Sequence, residues 1–168
     1  MFRLLRALIP ALAIFAIAVP VTALAQGTEI AFGGLKHDPT LPVEVTSDQL
    51  KINQADGSAV FTGNVVIGQG SMRLSADSVK VEYTQNGNKR RISKMHATGN
   101  VVLVNGSEAA EAQQAVYSID NGNIVMTGDV ILTQGQSALS ANKMTVDLNS
   151  GKAVLEGRVK TILQTGNN

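Results

Sequence analysis

Few side chains in this sequence are of the types that carry acid–base, nucleophilic or metal chemistry, and their spacing does not group them. The chain has two histidines and no cysteine. His37 lies in a Gly- and Pro-containing segment without a period, and His96 lies on the polar side of an alternating run. No carboxylate or nucleophile accompanies either histidine at a catalytic spacing, and no cluster suits a metal ion. We therefore predict two solvated histidines and a protein that is not an enzyme and binds no metal or cofactor.

The one cluster of charge is basic and comprises Lys89, Arg90 and Arg91, with Lys94 close by. A solvated turn explains such a run, and contact with phosphates or an anionic headgroup is the functional alternative. The remaining charge is balanced: without the two arginines of the first 25 residues, 12 Lys plus Arg stand against 13 Asp plus Glu, a net charge of −1. This balance gives no reason to expect nucleic acid as a partner, because nucleic-acid-binding proteins carry a basic surface.

A repeat built from two short motifs organises the chain. The first motif is Thr-Gly-Asn-Val or Thr-Gly-Asp-Val with a looser fourth copy, and its glycines are 36, 29 and 29 residues apart: Gly63, Gly99, Gly128 and Gly157. The second motif is a small residue followed by a polar one, and its polar residues are spaced 29, 36 and 29: Asp48, Asp77, Gln113 and Asn142. Because only two of these four are acidic, we interpret them as polar corners that hydrogen-bond to the backbone.

Between the motifs the chain alternates with the period of two that is typical of half-buried strands. Turn-type dipeptides separate the alternating runs: Asp56-Gly57, Asn86-Gly87, Asn121-Gly122 and Ser150-Gly151. The nearest candidate for a helix, residues 107–116, lacks large apolar residues at helical spacing. We therefore predict an all-β fold in which repeats of about 29 residues, each with several short strands, stack into an elongated solenoid or β-jellyroll of V-shaped layers.

Alternation also predicts which side chains point inward, and the repeat glycine is expected on the same inward face. The glycine strands contribute one set of inward apolar residues: Phe61, Val65, Val101, Leu103, Met126, Val130 and Leu132. The strands that follow the second motif contribute another: Leu50, Ile52, Val79, Val81, Tyr83, Tyr117, Ile119, Met144 and Val146. These residues either fill a dry core or line an open apolar groove, and the pattern alone leaves both interpretations open.

The first 25 residues have the parts of a signal peptide. Arg3 and Arg6 precede an apolar run over 7–21, and the small-x-small sequence at 23–25 places the mature N-terminus at Gln26. We expect export by a cleaved signal peptide, and an uncleaved membrane anchor is the alternative because the apolar stretch is nearly long enough to span a bilayer. Residues 26–41 then read as a flexible lead-in, and 164–168 as a short tail.

A stack of β-layers leaves an unpaired strand edge at each end. We expect both edges to be open, and the edge near the C-terminus carries only Arg158 and Lys160 as gatekeepers. Open edges of this kind pair with other β-proteins by strand addition. Head-to-tail addition of identical copies gives open filaments, because the rotation need not close.

The sequence resembles the OstA-like family of periplasmic lipopolysaccharide-transport proteins. The resemblance covers 42–163, the predicted β-jellyroll domain, and is carried by four stretches: Val43-Glu44-Val45-Thr46-Ser47-Asp48, Val60-Phe61-Thr62-Gly63-Asn64-Val65, Leu74-Ser75-Ala76-Asp77 and the later Thr-Gly-Asn/Asp copies. It implies an elongated, slightly twisted β-jellyroll in the periplasm. The implied function is to shield the acyl chains of lipopolysaccharide in an apolar groove on their way from the inner to the outer membrane.

The resemblance also implies partners and lipid-facing positions. The partners would be lipopolysaccharide through its lipid A portion, LptC-like and LptD-like β-jellyroll domains joined edge to edge, and further copies of the chain joined head to tail. Val43 and Val45 match lipid-facing positions of the family, as do Tyr117 and Ile119. An uncleaved N-terminal segment would instead suit the anchored LptC-like role.

Two other classes of protein fit parts of the pattern. A structural β-repeat scaffold or adhesin-like protein would have the same repeats around a dry core. A hydrolase on a β-solenoid would need carboxylates converging on one face, whereas the alternation scatters them. The presence of an apolar cleft would favour the carrier over the scaffold.

Overall fold

The computed structural model describes residues 27–32, 38, 41–87 and 89–162. All regular structure in these residues is β-strand, which confirms the predicted all-β class. The strands are β1 (Thr28–Ala31), β2 (Glu44–Thr46), β3 (Gln49–Ile52), β4 (Ala59–Gln69), β5 (Met72–Asn86), β6 (Lys89–Asn105), β7 (Glu108–Ser118), β8 (Asn123–Gln134), β9 (Ser137–Asp147), β10 (Lys152–Glu156) and β11 (Lys160–Ile162).

All eleven strands belong to one antiparallel sheet that folds over on itself. The six strands from β4 to β9 are long, and the pairing of each with its neighbours is interrupted near its middle by a bulge on β4, β6 or β8. These interruptions lie on one shared line, which we call the corner. The corner divides the sheet into two halves. Half A contains β1, β3, β10 and one segment of each long strand, and half B contains β2, β11 and the other segments.

The corner is formed by the glycine motif of the repeat. In β4, Gly63 and Asn64 together oppose the single residue Asp77, and their φ angles are +77° and +47°. The same pair of positive φ values recurs at the other three copies of the motif: Gly99–Asn100, Gly128–Asp129 and Gly157–Arg158. A bulge of two residues against one bends its strand and increases its twist, so four copies in register fold the whole sheet.

The second motif of the repeat faces the first across the corner. These residues lie at the corner, as predicted, but three of them form bonds that join side chain to side chain where bonds to the backbone were predicted. Three hydrogen bonds have donor–acceptor distances of 2.8–2.9 Å: Asn64 Nδ2 to Asp48 Oδ2, Asn100 Nδ2 to Asp77 Oδ2, and Gln113 Nε2 to Asp129 Oδ2. The two motifs keep the same spacing in sequence because each corner needs one member of each.

The expectation that the repeat glycine faces inward is wrong. A Cβ built on Gly63 would point at the exposed carboxylate of Asp48, 2.5 Å from its Oδ2, and not into the core. Asn64, with φ also positive, is exposed as well. The glycine is needed because the outer surface of the corner has no room for a side chain beside the facing polar residue.

Two further expectations differ from the structure. Each repeat contains two long bent strands of 11–17 residues instead of several short ones, because the bulge bends a strand without ending it. The expected lead-in over 26–41 contains a strand, β1, which pairs with β10 at the far end of half A. The segment 107–116, the nearest helix candidate, lies almost entirely in β7.

Several expectations concern residues outside the described part of the chain. They include the signal peptide at 1–25, the new N-terminus at Gln26, His37 and the tail at 164–168. Within the described ranges, the chain forms no helix of the length and apolar character that a membrane crossing requires.

Candidate functional site

The space between the two halves is lined by apolar side chains in continuous rows. One row crosses all nine strands of half A, each residue paired in register with the next: Ile52, Ala59, Val81, Met95, Tyr117, Ile124, Val146, Ala153 and Ile30. The facing row of half B is equally regular: Val45, Ile67, Leu74, Leu103, Ala110, Leu132 and Leu139. Since alternation puts every second residue on this face, the interior is one apolar track along the whole sheet.

The β2–β3 end of this track is open. Leu50 and Ile52 lie on the inner face of half A, opposite Phe61 and Ala59, yet their exposed fractions are 53% and 64%. Leu41, beside the β4–β5 turn of half B, is also exposed. Isolated exposed apolar residues are ordinary, but several at one mouth of an apolar interior indicate a binding surface.

The opposite end of the track is covered by β1. Phe32 follows this four-residue strand and is fully buried, with its backbone N–H donating to the Gly151 carbonyl. Gln134, in half B, donates from Nε2 to the Ala31 carbonyl at 2.7 Å and so ties β1 to the other half. The two ends of half A therefore differ: β3 exposes apolar side chains, whereas an aromatic ring closes the end at β1. In half B, β11 at this same end carries the exposed Ile162, and Val159 just before it is exposed as well.

A buried polar contact joins the halves along the side opposite the corner. Tyr117 in half A donates its hydroxyl to Gln69 Oε1 in half B at 2.7 Å, and Gln69 Nε2 donates to the Leu41 carbonyl. The Tyr117 ring is almost fully buried, and burial raises the pKa of its hydroxyl to about 12 because the phenolate is poorly solvated there. This contact holds the halves together over the middle of the track.

The inward apolar residues predicted from alternation lie between the halves. Most are almost fully buried: Val65, Val79, Val81, Val101, Leu103, Tyr117, Met126, Val130, Leu132, Met144 and Val146. Val43, Val45, Phe61 and Ile119 are partly buried against this core, and Tyr83 has an exposed fraction of 37%. The orientation is as predicted, and the binding of lipid by these residues stays a prediction.

Sequence reasoning missed several side chains that shape the interior, and four of them show why. Ile124 and Met72 are found by extending the alternation two residues beyond Met126 and Leu74, so the signal was present. Phe32 gives no such signal, because Gly33-Gly34 separates it from the alternating runs. Gln69 is polar on an apolar face, and only its contact with Tyr117 explains it.

The ion pairs lie on the surface, outside the interior. His96 Nε2 is 3.4 Å from Glu82 Oε2 on the outer face, next to Lys80. Desolvation opposes ionisation of Glu82, but His96 and Lys80 outweigh it and lower its pKa. Of the basic run, Arg91 pairs with Asp120 at 3.1 Å. Within the described residues, no three histidine, cysteine or carboxylate side chains are grouped so that they could hold a metal ion.

Comparison with known proteins agrees with this geometry. A sequence model of the family described as "LptA/(LptD N-terminal domain) LPS transport protein" matches residues 44–152. An uncharacterized protein of Rhizobium meliloti (strain 1021) is 30% identical over 109 residues, 62% of this chain and 59% of that protein. The LPS-assembly protein LptD of Salmonella paratyphi A (strain ATCC 9150 / SARB42) is 45% identical over 62 residues, 36% of this chain but 8% of that protein. The chain thus spans little more than half of the first relative and a small part of the second.

A solved structure shows the same fold. LptH from Pseudomonas aeruginosa, described as the LptA-homologous periplasmic component of the lipopolysaccharide transport device, matches with a TM-score of 0.66 and 18% identity. The match covers 76% of this chain and 98% of LptH. The folded sheet with its apolar interior therefore defines an LptA-like β-jellyroll. The chain belongs to the LptA/LptD N-terminal domain family of LPS transport proteins, and the predicted family is confirmed.

Proposed function

We propose that this protein is a periplasmic carrier in which the interior between the halves covers the acyl chains of lipopolysaccharide during transport from the inner to the outer membrane. The observation that carries the proposal is the apolar track, which runs in register from the exposed Ile52 to Ile30 at the other end. Each methylene exposed to water costs about 0.8 kcal/mol, so a lipid with several chains needs continuous cover to cross an aqueous space.

The sheet edges support the proposed partners. In the described residues, β2 and β3 pair only with β4, so their outer sides are free at one end, and β1 and β11 form the edge at the other. An edge strand presents a row of backbone donors and acceptors to a further strand. Edge-to-edge addition of LptC-like and LptD-like β-jellyroll domains, or of further copies head to tail, would extend the track from one protein into the next.

A structural scaffold with a dry core is the second candidate, and one observation favours it. The central inward residues, such as Val65, Leu103 and Met144, have exposed fractions of 0–1%, so the packed interior closes on itself. A carrier must therefore separate the halves to admit a chain, whereas a scaffold need not.

Photocrosslinking in cells distinguishes the two. A photoreactive residue replaces Ile52 or Phe61 on the inner face, and the adjacent outward residues Lys51 and Val60 serve as matched controls on the same two strands. We expect lipopolysaccharide adducts at both inner positions and none at the controls. A folded, exported protein without adducts at either inner position would establish the scaffold, and equal adducts on both faces would show only nonspecific contact.

A further inference from the structure

The β5–β6 hairpin reaches beyond its neighbours at the open end of the track. β4 pairs with β5 only as far as Val81, and β7 pairs with β6 only from Lys94 onward, so no strand of the described residues flanks the tip of the hairpin. At this tip the inner face changes character. Tyr83 and Ile92 are apolar and pair with each other. Arg90 lies on the same face of β6, two residues before Ile92 and nearer the tip.

Arg90 is held in a defined position at this lip. Its guanidinium lies over the Tyr83 ring, 4.1 Å from the centroid, and one of its N–H groups donates to the Gly57 carbonyl of the β3–β4 turn. A guanidinium has five N–H donors, and its planar fork matches two oxygens of a phosphate. The side chain is exposed, so an anion can reach it from solvent.

The surroundings favour an anionic group bound to the lip. The carboxylates near this turn already have other partners: Asp56 is engaged by Ser58 and Lys80, and Glu82 faces outward to Lys80 and His96. Tyr83 is partly exposed and lies under the Arg90 guanidinium, so apolar surface and cation are adjacent. An amphiphile with acyl chains and a phosphate has this same arrangement of chemistry.

We propose that Arg90 is an anion-binding residue that receives a phosphate group of the lipid headgroup while the acyl chains enter the track at Ile52 and Tyr83. The inference rests on the proposed carrier function. It adds that the protein recognises the phosphate of the headgroup and that the lipid binds at the open end of the track. Free phosphate offers the same chemistry, so the test separates the two sources.

The experiment measures how tightly the full chain binds two lipids: phosphorylated lipid A, and the same lipid A after its phosphates have been removed. A charge-assisted bidentate contact is expected to make the phosphorylated form bind about tenfold more tightly. Arg90→Ala should remove this preference, and a circular dichroism spectrum matching that of the unmodified chain shows that the variant is folded. Arg91→Ala is the matched control: it removes the same charge one residue away, on the opposite face of β6, where Arg91 pairs with Asp120.

Each other outcome rejects a distinct part of the proposal. An equal loss in both variants would mean a general electrostatic field and no site at Arg90. Equal binding of both lipids by the unmodified chain would contradict the phosphate contact but not the proposed carrier function. Binding of neither lipid, together with no adducts at Ile52, would overturn the carrier itself. If millimolar inorganic phosphate abolished the preference, the site would belong to free phosphate.

Discussion

At the scale of single residues, the bend at the corner depends on glycines that no other residue can replace without strain. Gly99 has φ of +78°, and an added Cβ would collide with the Asp77 carboxylate on the facing strand. Gly106 also has positive φ, +59°, but an added Cβ would meet nothing within 4 Å. The two glycines therefore separate backbone strain from steric collision, and the hydrogen bond from Asn100 to Asp77 explains why the carboxylate cannot move freely.

This contrast gives a prediction for stability. Gly106→Ala should lower the free energy of unfolding by about 1 kcal/mol, the cost of a left-handed alanine. Gly99→Ala should lower it by about 2–4 kcal/mol, because the collision adds to the same strain. Urea unfolding of both variants measures the difference, and Asp77→Ala in the Gly99→Ala background should recover part of it. Equal losses in the two single variants would show that the corner tolerates a side chain.

At the scale of elements, β1 is held by fewer contacts than any long strand. It has four residues, three of them exposed. It is fixed by its pairing with β10, an ion pair of Glu29 with Lys152, the Gln134 bond to the Ala31 carbonyl and the buried Phe32. The exposed ion pair contributes little to stability. The apolar burial of Phe32 is therefore the main term that holds this strand over the end of the track.

Phe32→Ala should release β1 while the rest of the sheet stays folded. We expect the backbone amides of β1 and of residue 32, which donates to the Gly151 carbonyl, to lose protection from hydrogen exchange, because local openings are independent of the global unfolding of the long strands. Amides in β7, in the middle of the sheet, should be unaffected, and Thr28→Ala, an exposed change in the same strand, is the control. Unchanged protection of β1 in Phe32→Ala would mean that the pairing with β10 and the polar contacts of Glu29 and Gln134 hold the strand without the ring.

The elements also show what the sequence could and could not predict. The four copies of the motifs that begin with Gly63 and Asp48 predict where the corners lie, and alternation predicts which side chains point inward. Both predictions succeed because they depend only on local backbone geometry. Whether a bulge bends a strand or ends it depends on pairing with both neighbours, so strand lengths were not predictable. The docking of β1 on β10 joins residues more than 120 apart, and no local pattern encodes it.

At the scale of the whole molecule, the closed state depends on contacts between the halves, and the Tyr117 hydroxyl reports on them. An unfolded tyrosine has a pKa of about 10, and burial raises that of Tyr117 to about 12. Between these values the unfolded chain loses a proton that the folded chain keeps. The buried phenol therefore contributes its full stability below pH 10, and the contribution falls as pH rises from about 10 to about 12, by up to about 1.4 kcal/mol per pH unit.

Tyr83→Phe leaves Tyr117 as the only tyrosine, so that ultraviolet absorbance of the tyrosinate follows this group alone. We expect a titration midpoint near pH 12 in the folded protein and an alkaline decline of the free energy of unfolding, measured by urea unfolding at each pH. Tyr117→Phe should flatten that decline. A midpoint near 10 with an intact β-sheet circular dichroism spectrum would mean that water reaches the phenol, so that the halves already stand apart at the Gln69 contact and the apolar track is open without a lipid.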